Sequence, residues 1–216
     1  MLSTRTLLGA VVAAVLFASA PVEAASVAED LALHSLTLVA RERGPSKVEE
    51  LRGLRIAWVD RESSSGYIVP RIHLASLGCD LRGFFSNESF HLSHVGVVDA
   101  VTSGRADVGA TFLSVDADGK LASAGWTNER GAAIRSVKIV ATAGPIPNDT
   151  IIVARGLPAM VRASIQRWLL GPDERARALF GEVIHSREFH VPSAEHFRPL
   201  RAMMASGRAR GVLEHG

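Results

Sequence analysis

Strand-like apolar segments alternate with helix-like segments over residues 36–204, and this alternation is what restricts the fold most. Leu54–Val59 is a mostly apolar run of strand length, and Tyr67–Leu77 follows it with the spacing of a helix that ends at Gly78. Strands separated by helices usually pair in parallel, because the helix carries the chain back across the sheet. The sequence therefore predicts an α/β fold with a largely parallel sheet.

The other predicted elements continue this pattern. We predict further strands at residues 36–40, 84–92, 106–112, 137–141 and 150–154. Further helices are predicted at residues 47–51, 95–103, 158–170, 173–180 and 194–204. The segment 116–131 is rich in Gly, Asp, Asn and Ser, which indicates a loop or a hairpin.

The N-terminus has the pattern of a secretory signal peptide. Arg5 precedes an apolar run from Leu7 to Ala18, and Val22-Glu23-Ala24 fits cleavage after Ala24. The apolar run has 12 residues, whereas a membrane-spanning helix needs about 20. We therefore predict that residues 1–24 are removed on export and that the mature protein is periplasmic.

The charge balance argues against a nucleic-acid-binding face. Lys and Arg total 24, Asp and Glu total 22, and the net charge is only +2. The single cysteine, Cys79, excludes an internal disulfide framework and a multi-cysteine metal site. The histidines show no metal-ligand spacing with an acidic partner, and the H-E-x-x-H pattern is absent. We expect neither a metal nor a cofactor.

The serine-rich turn after the strand Leu54–Val59 is the first candidate for a binding site. The first N–H groups of a helix lack partners and attract anions. Ser63, Ser64 and Ser65 add three hydroxyls there, and Gly66 would let a ligand approach the backbone. The P-loop pattern G-x-x-x-x-G-K-[ST] and the nucleophile-elbow pattern G-x-S-x-G are both absent. The alternative is that one serine caps the helix while the others are solvated.

His94 is the second candidate, because it stands at a strand-to-helix turn where an imidazole can donate to an anion. The alternative is an exposed or capping histidine. Ser64, His94 and Asp99 could be combined into a catalytic triad, but their order in the chain does not favour it. We therefore expect no catalytic residues and no enzymatic activity.

Several motifs, in this order, resemble the phosphate/phosphite/phosphonate-binding proteins of ABC transporters. They are Gly53–Asp60, Ser63–Tyr67 with Pro70-Arg71, Ser93-His94, Gly104–Thr111, Pro145–Asp149 and Phe197–Leu200. The resemblance covers about residues 36–204. Each motif alone is weak evidence for this family, whereas their combination in this order is specific.

This resemblance implies a two-lobed, periplasmic binding protein-like (type II) fold with the ligand in the cleft. The serine-rich turn of such proteins holds phosphonate or phosphate oxygens, a downstream histidine donates further, and a polar residue meets the ligand's other end. The ligand-binding residues implied in this way are Ser63, Ser64, Ser65, Gly66, Tyr67, His94, Asn148 and Asp149.

The chain departs from the family at its start. The family has a βαβα segment before the strand that matches Leu36–Ala40, whereas here the predicted signal peptide comes almost directly before it. We therefore expect one complete lobe and one truncated lobe. The expected divisions are a signal peptide at 1–24, a linker and hinge strand at 25–43, the complete α/β lobe with the anion-binding turn at 44–141, the return strand and helices of the truncated lobe at 142–205, and a disordered tail at 206–216.

The leading functional hypothesis is a solute-binding protein that delivers a phosphorus oxyanion (phosphonate, phosphite or phosphate) to an ABC permease in the inner membrane. The alternatives are a ligand-sensing periplasmic module for a membrane receptor and a truncated paralogue with weak binding. A truncated lobe could not cover all of its apolar residues, so we expect self-association or a partner chain, and affinity in the micromolar-to-millimolar range. These apolar residues are Leu36, Leu38, Ile151, Val153, Ile165 and Leu169.

Overall fold

The chain divides into two compact units in a computed structural model. The structure describes residues 33–115, 118–128, 132–147, 153–154, 156–171, 174–175, 191–193 and 195–212. The described residues up to 147, together with 197–212, form the first unit, and those from 153 to 196 form the second. The predicted boundary between residues 141 and 142 therefore differs from the division in the structure.

The strands of the first unit form one mixed sheet. They are β1 (Leu33–Ala40), β2 (Arg55–Trp58), β3 (Asn87–Phe90), β4 (Val108–Val115), β5 (Leu121–Ala124) and β6 (Lys138–Ile146). The order is β3-β2-β4-β1-β6, and β5 pairs with the end of β4. Among the described strands, the β2–β3 and β2–β4 pairs are parallel, whereas β1 runs antiparallel to both of its neighbours. The prediction of a largely parallel sheet was wrong for β1 and β6, because helical crossovers connect β2, β3 and β4. β5 pairs antiparallel with β4, as the hairpin alternative for residues 116–131 predicts.

Two helices make these crossovers. The first begins with a π-helical turn at Ser64–Ile68, which continues directly into α1 (Val69–Ser76). The second, α2 (His94–Thr102), connects β3 to β4. A 3₁₀ turn at Val48–Leu51 precedes β2. The predicted helices over 67–77 and 95–103 are confirmed, although the first begins three residues earlier.

Alternate residues of β2 face opposite sides of the sheet, as the strand repeat requires. Ile56 and Trp58 are fully buried in the cluster that includes Leu74 of α1. Ala57 is fully buried on the other face, where it packs with Val97 of α2. The sheet is therefore covered on both faces, and its carboxyl edge is left to the connecting loops.

The strand expected as a linker and hinge, β1, lies inside the sheet. Leu36 packs with Val69 and Ile146, and Leu38 belongs to the cluster under α1. Both side chains are fully buried. The neighbouring strands and helices of the same unit therefore cover these two residues. The expectation that the six apolar residues cannot all be covered stays a prediction, since Ile151 lies outside the described residues.

The C-terminal segment also differs from the predicted disordered tail at 206–216. The helix α4, Arg198–Ala209, extends past residue 204, and Gly207 is buried within it. Beyond the helix, Arg210 donates from Nη1 to the carbonyl oxygen of Ala75 at 3.2 Å. This contact fixes residues 206–212 against α1, because a cationic donor meets a carbonyl that ends a helix.

The second unit contains α3 (Ala159–Leu170), which begins after Pro158. Arg162 donates from Nη1 to the carbonyl oxygen of Leu157 at 3.0 Å in the segment before the helix. Most of the predicted helix at 173–180 and most of the predicted strand at 150–154 lie outside the described residues. None of the helices in the described ranges is long and apolar enough to cross a membrane.

Candidate functional site

The turn after β2 is fixed by two capping side chains. Asp60 Oδ1 accepts the N–H groups of Glu62 and Ser63, each at 2.8 Å. Ser63 is the N-cap, and its Oγ accepts the N–H of Gly66 at 3.1 Å. The Ser63 carbonyl oxygen accepts the N–H of Tyr67 at 3.1 Å. The alternative in which one serine caps the helix therefore holds for Ser63. Its hydroxyl donates no hydrogen bond within the described part of the chain.

Ser64 and Ser65 carry hydrogen-bond donors that the capping interactions do not use. The hydroxyl and the backbone N–H of each residue have no partner among the described residues. Ser64 is exposed and Ser65 is half-buried. N–H groups at the start of a helix carry a partial positive charge. The turn therefore offers four uncommitted donors to a ligand on the helix axis.

Gly66 has a packing role in the turn, and this role does not test the predicted approach of a ligand to its backbone. The residue is buried, and a Cβ built on it would lie 2.6 Å from the Cβ of Val59 and 2.8 Å from the Oγ of Ser63. Its carbonyl oxygen accepts the N–H of Val59 at 3.2 Å. The glycine is needed because the turn packs directly on the end of β2.

Tyr67 points into an aromatic cluster. Its ring meets the Trp58 ring edge-on, with centroids 5.4 Å apart, and lies 5.4 Å from the ring of Phe90. The Arg71 guanidinium carbon lies 5.1 Å from the Tyr67 ring centroid, and Arg61 Nη1 lies 3.3 Å from the Tyr67 hydroxyl. These contacts are structural, and a ligand contact of Tyr67 stays a prediction.

His94 is the first residue of α2. Ser93 caps this helix, since its Oγ accepts the N–H of Gly96 at 3.0 Å. The His94 Nδ1 lies 3.1 Å from the Oγ1 of Thr111, and its ring meets the Phe112 ring edge-on at 4.8 Å. Sequence reasoning missed Thr111, for which the available signal was one hydroxyl residue inside the apolar strand 108–112.

The sheet topology brings the serine turn and His94 to the same edge. The strands β2, β3 and β4 are parallel, the serine turn follows β2, and His94 follows β3. The two loops are joined where the N–H of Leu92 donates to the Val59 carbonyl oxygen at 2.8 Å. The turn 64–68 also lies against β4, which holds Thr111. The carboxyl edge of parallel strands is where such folds bind ligands. Asn148 and Asp149 lie outside the described residues.

Positive charge lies beside this edge. Arg61 forms no ion pair with the described residues, and its guanidinium carbon lies 5.0 Å from the Phe90 ring centroid. Arg71 is instead neutralised by Glu88 at 2.9 Å, and Glu88 also accepts the Trp58 indole N–H at 2.7 Å. Burial lowers the pKa of His91, and the charge of Arg105 lowers that pKa further, so this ring adds no cation at neutral pH.

Residues 7–197 match a family model described as the periplasmic substrate-binding protein of phosphonate ABC transporters. No protein with a curated description matches the chain.

Solved structures show a similar fold at low sequence identity. A Xanthomonas citri protein bound to ATP has a TM-score of 0.66 and 22% identity, over 83% of this chain and 68% of that one. A binding protein component of an ABC phosphonate transporter from Pseudomonas aeruginosa has a TM-score of 0.62 and 16% identity, over 85% of this chain and 61% of that one. PhnD1 from Prochlorococcus marinus, in complex with methylphosphonate, has a TM-score of 0.58 and 16% identity, over 84% of this chain and 70% of that one. The chain thus has the periplasmic binding protein-like α/β fold, and it spans between 61% and 70% of the length of these solved structures.

Proposed function

The chain belongs to the family of periplasmic substrate-binding proteins of phosphonate ABC transporters, and we propose that it holds a phosphorus oxyanion at the carboxyl edge of β2, β3 and β4. This family carries solutes to a permease and is not an enzyme class. The expected activity is therefore reversible binding, without chemical conversion of the ligand.

One observation carries the proposal. The hydroxyl and N–H groups of Ser64 and Ser65 have no partner in the described part of the chain, although both residues stand at the start of a helical segment that runs to Ser76. Neutral donors and a helix dipole can hold an anion without a buried counter-charge. Hydrogen bonds from such donors to a charged oxygen are also stronger than bonds between neutral groups.

His94 would supply a donor from a second helix start. Its ring is anchored on β4 through Thr111, at the same sheet edge as the serine turn. A phosphonate or phosphate group presents three tetrahedral oxygens, so donors that come from two loops can meet different oxygens. Arg61, stacked on Phe90, would add long-range attraction for the anion.

The proposed ligand class is the phosphonyl or phosphoryl group itself. Two of the similar structures contain methylphosphonate and ATP, and these molecules share a phosphorus oxyanion. Asn148 and Asp149 are proposed to meet the other end of the ligand, as the family resemblance implies. Gly66 and Tyr67 are proposed to shape the turn rather than to contact the anion.

Calorimetric titration of the purified protein tests the proposal. The ligands are phosphate, phosphite, methylphosphonate, 2-aminoethylphosphonate and ATP, with sulfate, acetate and adenosine as controls. We expect at least one phosphorus oxyanion to bind with a Kd in the micromolar-to-millimolar range, and adenosine not to bind. A folded protein that binds none of the five phosphorus compounds would refute the proposal.

The transport role is proposed together with an ABC permease as the partner. The sensing alternative predicts a histidine-kinase gene beside this one, whereas transport predicts permease and ATPase genes. Very weak binding without either neighbour would favour the truncated paralogue. Self-association is retained as a proposal, and light scattering coupled to size exclusion would test it.

We also propose that the exported chain begins at Ala25. Residues 1–32 lie outside the described part of the structure, so the sequence pattern alone supports this cleavage site. The intact mass of the protein recovered from the periplasm tests it. A mass that includes residues 1–24 would contradict the cleavage but leave the binding proposal standing.

A further inference from the structure

Thr111 is a buried hydrogen-bond partner of His94 in the sheet. The Thr111 side chain is fully buried in β4, and its Oγ1 lies 3.1 Å from His94 Nδ1. No other partner of this hydroxyl occurs among the described residues. The Phe112 ring flanks the imidazole, and Ser93 fixes the first turn of α2 that carries it. Nδ1 of the ring is therefore held by Thr111.

The direction of this hydrogen bond follows from burial. A buried hydroxyl hydrogen without an acceptor costs more than an acceptor with a spare lone pair. Nδ1 is the acceptor within reach of the Thr111 hydroxyl, so the hydroxyl donates and Nδ1 accepts. In a neutral imidazole the proton then lies on Nε2, at the opposite side of the ring.

We propose that Thr111 is a positioning residue that holds His94 as the Nε2–H tautomer and aims this N–H at the bound oxyanion. The use of the N–H rests on the proposed function, whereas the tautomer and the Nδ1 contact do not. A ring that is already oriented loses less entropy when the anion binds. Thr111 therefore raises affinity without touching the ligand.

Gly125 provides a way to disturb this contact without removing a polar group. A Cβ built on Gly125 would fall directly on the Thr111 Oγ1 and would lie 3.2 Å from the His94 Cβ. The glycine N–H donates to the Phe112 carbonyl oxygen at 3.2 Å, which fixes its position beside β4. The change Gly125→Ala should thus displace the Thr111 hydroxyl and keep every donor and acceptor in the chain.

Thr37 offers a matched control. It is the cross-strand partner of Thr111 on β1, so both side chains lie on the same face of the sheet. Thr37 is fully buried, and its Oγ1 has no hydrogen-bond partner among the described residues. The change Thr37→Val removes the same hydroxyl from the same layer, but without removing a contact to His94.

The test combines imidazole ¹⁵N spectra with anion titration. Spectra of the ligand-free protein, with His94 assigned from His94→Ala, are recorded above the titration range of the ring. We expect a hydrogen-bonded Nδ1 and a protonated Nε2 in wild type, Thr111→Ser and Thr37→Val. In Thr111→Val and Gly125→Ala, we expect the ¹⁵N signal of Nδ1 to shift because its hydrogen bond to Thr111 is lost. Unchanged His94 signals in both of these variants would overturn the proposal.

Affinity for the tightest phosphorus oxyanion of the titration panel is the second readout. Losing one oriented donor to a charged oxygen should weaken binding about five- to thirtyfold in Thr111→Val, with recovery in Thr111→Ser. In the His94→Ala background, Thr111→Val should cost nothing further, because Thr111 acts through His94. Equal losses in both backgrounds would overturn the positioning role.

The two proposals fail in different ways. If no phosphorus compound binds, the proposed function is wrong and the ¹⁵N spectra alone decide the role of Thr111. If His94→Ala weakens binding while Thr111→Val binds as wild type does, the proposed function stands and the positioning role is wrong. Circular dichroism of every variant confirms the fold, and Gly125→Ala replaces Thr111→Val if the latter does not fold.

Discussion

Gly66 and Val59 pack so closely that no side chain fits between them: a Cβ on Gly66 would lie 2.6 Å from the Val59 Cβ. The same two residues share a hydrogen bond, since the N–H of Val59 donates to the Gly66 carbonyl oxygen at 3.2 Å. The anion-binding turn is therefore fastened to the end of β2, which sets the direction of the free donors on Ser64 and Ser65.

Gly66→Ala is expected to destabilise the protein by about 1–3 kcal/mol, the usual cost of overpacking a filled site. Gly156→Ala is the control, because nothing lies within 4 Å of a Cβ at that position. Urea denaturation of both variants measures the difference in unfolding free energy. Equal losses of unfolding free energy in the two variants would mean that the contact with Val59 does not limit the side-chain size at position 66.

Ser64→Ala and Ser65→Ala are each expected to weaken binding of a phosphorus oxyanion by about 10- to 100-fold, or ~1.5–3 kcal/mol. The double change should remove measurable binding while the unfolding curve stays the same, since neither hydroxyl has a partner in the described structure. Ser86→Ala, an exposed serine before β3, is the control in the calorimeter. Wild-type affinity in the double variant would place the anion site elsewhere.

Tyr67→Phe separates the packing role of this ring from a ligand contact. The change removes only the hydroxyl that lies 3.3 Å from Arg61 Nη1 and keeps the ring contacts with Trp58 and Phe90. We expect anion affinity to stay within about twofold, or ~0.4 kcal/mol, because the hydroxyl contacts Arg61 and is not proposed to contact the anion. A tenfold loss in the same titration would restore Tyr67 as a ligand contact.

Asp107→Asn should lower the unfolding free energy by about 1–2 kcal/mol at pH 7, since charge-assisted hydrogen bonds at a half-exposed arginine are lost. Asp107 accepts from Arg55 Nη2 at 2.7 Å, from Arg55 Nε at 3.0 Å and from the Arg55 N–H at 3.0 Å. Asp99→Asn is the control, because its pair with Arg135 is more exposed.

The effect of Asp107 should depend on pH. The Arg55 side-chain hydrogen bond is the main cause that lowers the pKa of Asp107, and the Arg55 backbone N–H and the charges of Arg55 and Arg41 lower it further. A carboxyl with a lowered native pKa stabilises the fold above its unfolded pKa of about 3.9 and loses that contribution as pH falls through the native pKa. Wild type and Asp107→Asn should therefore converge in acid. A gap that stays constant down to pH 2 would contradict this.

Leu92→Asn is expected to stabilise the protein by about 0.5–1 kcal/mol, because asparagine tolerates the left-handed backbone better than leucine. Leu92 has a φ of 61° and is 82% exposed, so the change costs little packing. Leu77→Asn tests the effect of exposure alone, since Leu77 is 55% exposed at a φ of −85°. Equal shifts in Tm for the two variants would refute the backbone explanation.

The local elements could be predicted because their signals lie within a few residues. The serine turn lies between a buried strand and a helix, as predicted, and α2 begins within one residue of its expected start. In both cases a serine hydroxyl accepts an N–H three residues on, and such caps are set by the sequence itself. The sequence by itself thus determined which segments are helices, and that a helix start rich in donors follows β2.

The tertiary structure decided how these segments meet. No local pattern shows that β1 would lie antiparallel between β4 and β6, or that Val59 would fill the space beside Gly66. The contact of His94 with Thr111 likewise depends on the register of β2 with β4. This register places Thr111 beside the start of α2. Strand pairing and packing are settled by contacts between residues far apart in the chain, because the free energy of burying a face depends on which other face covers it.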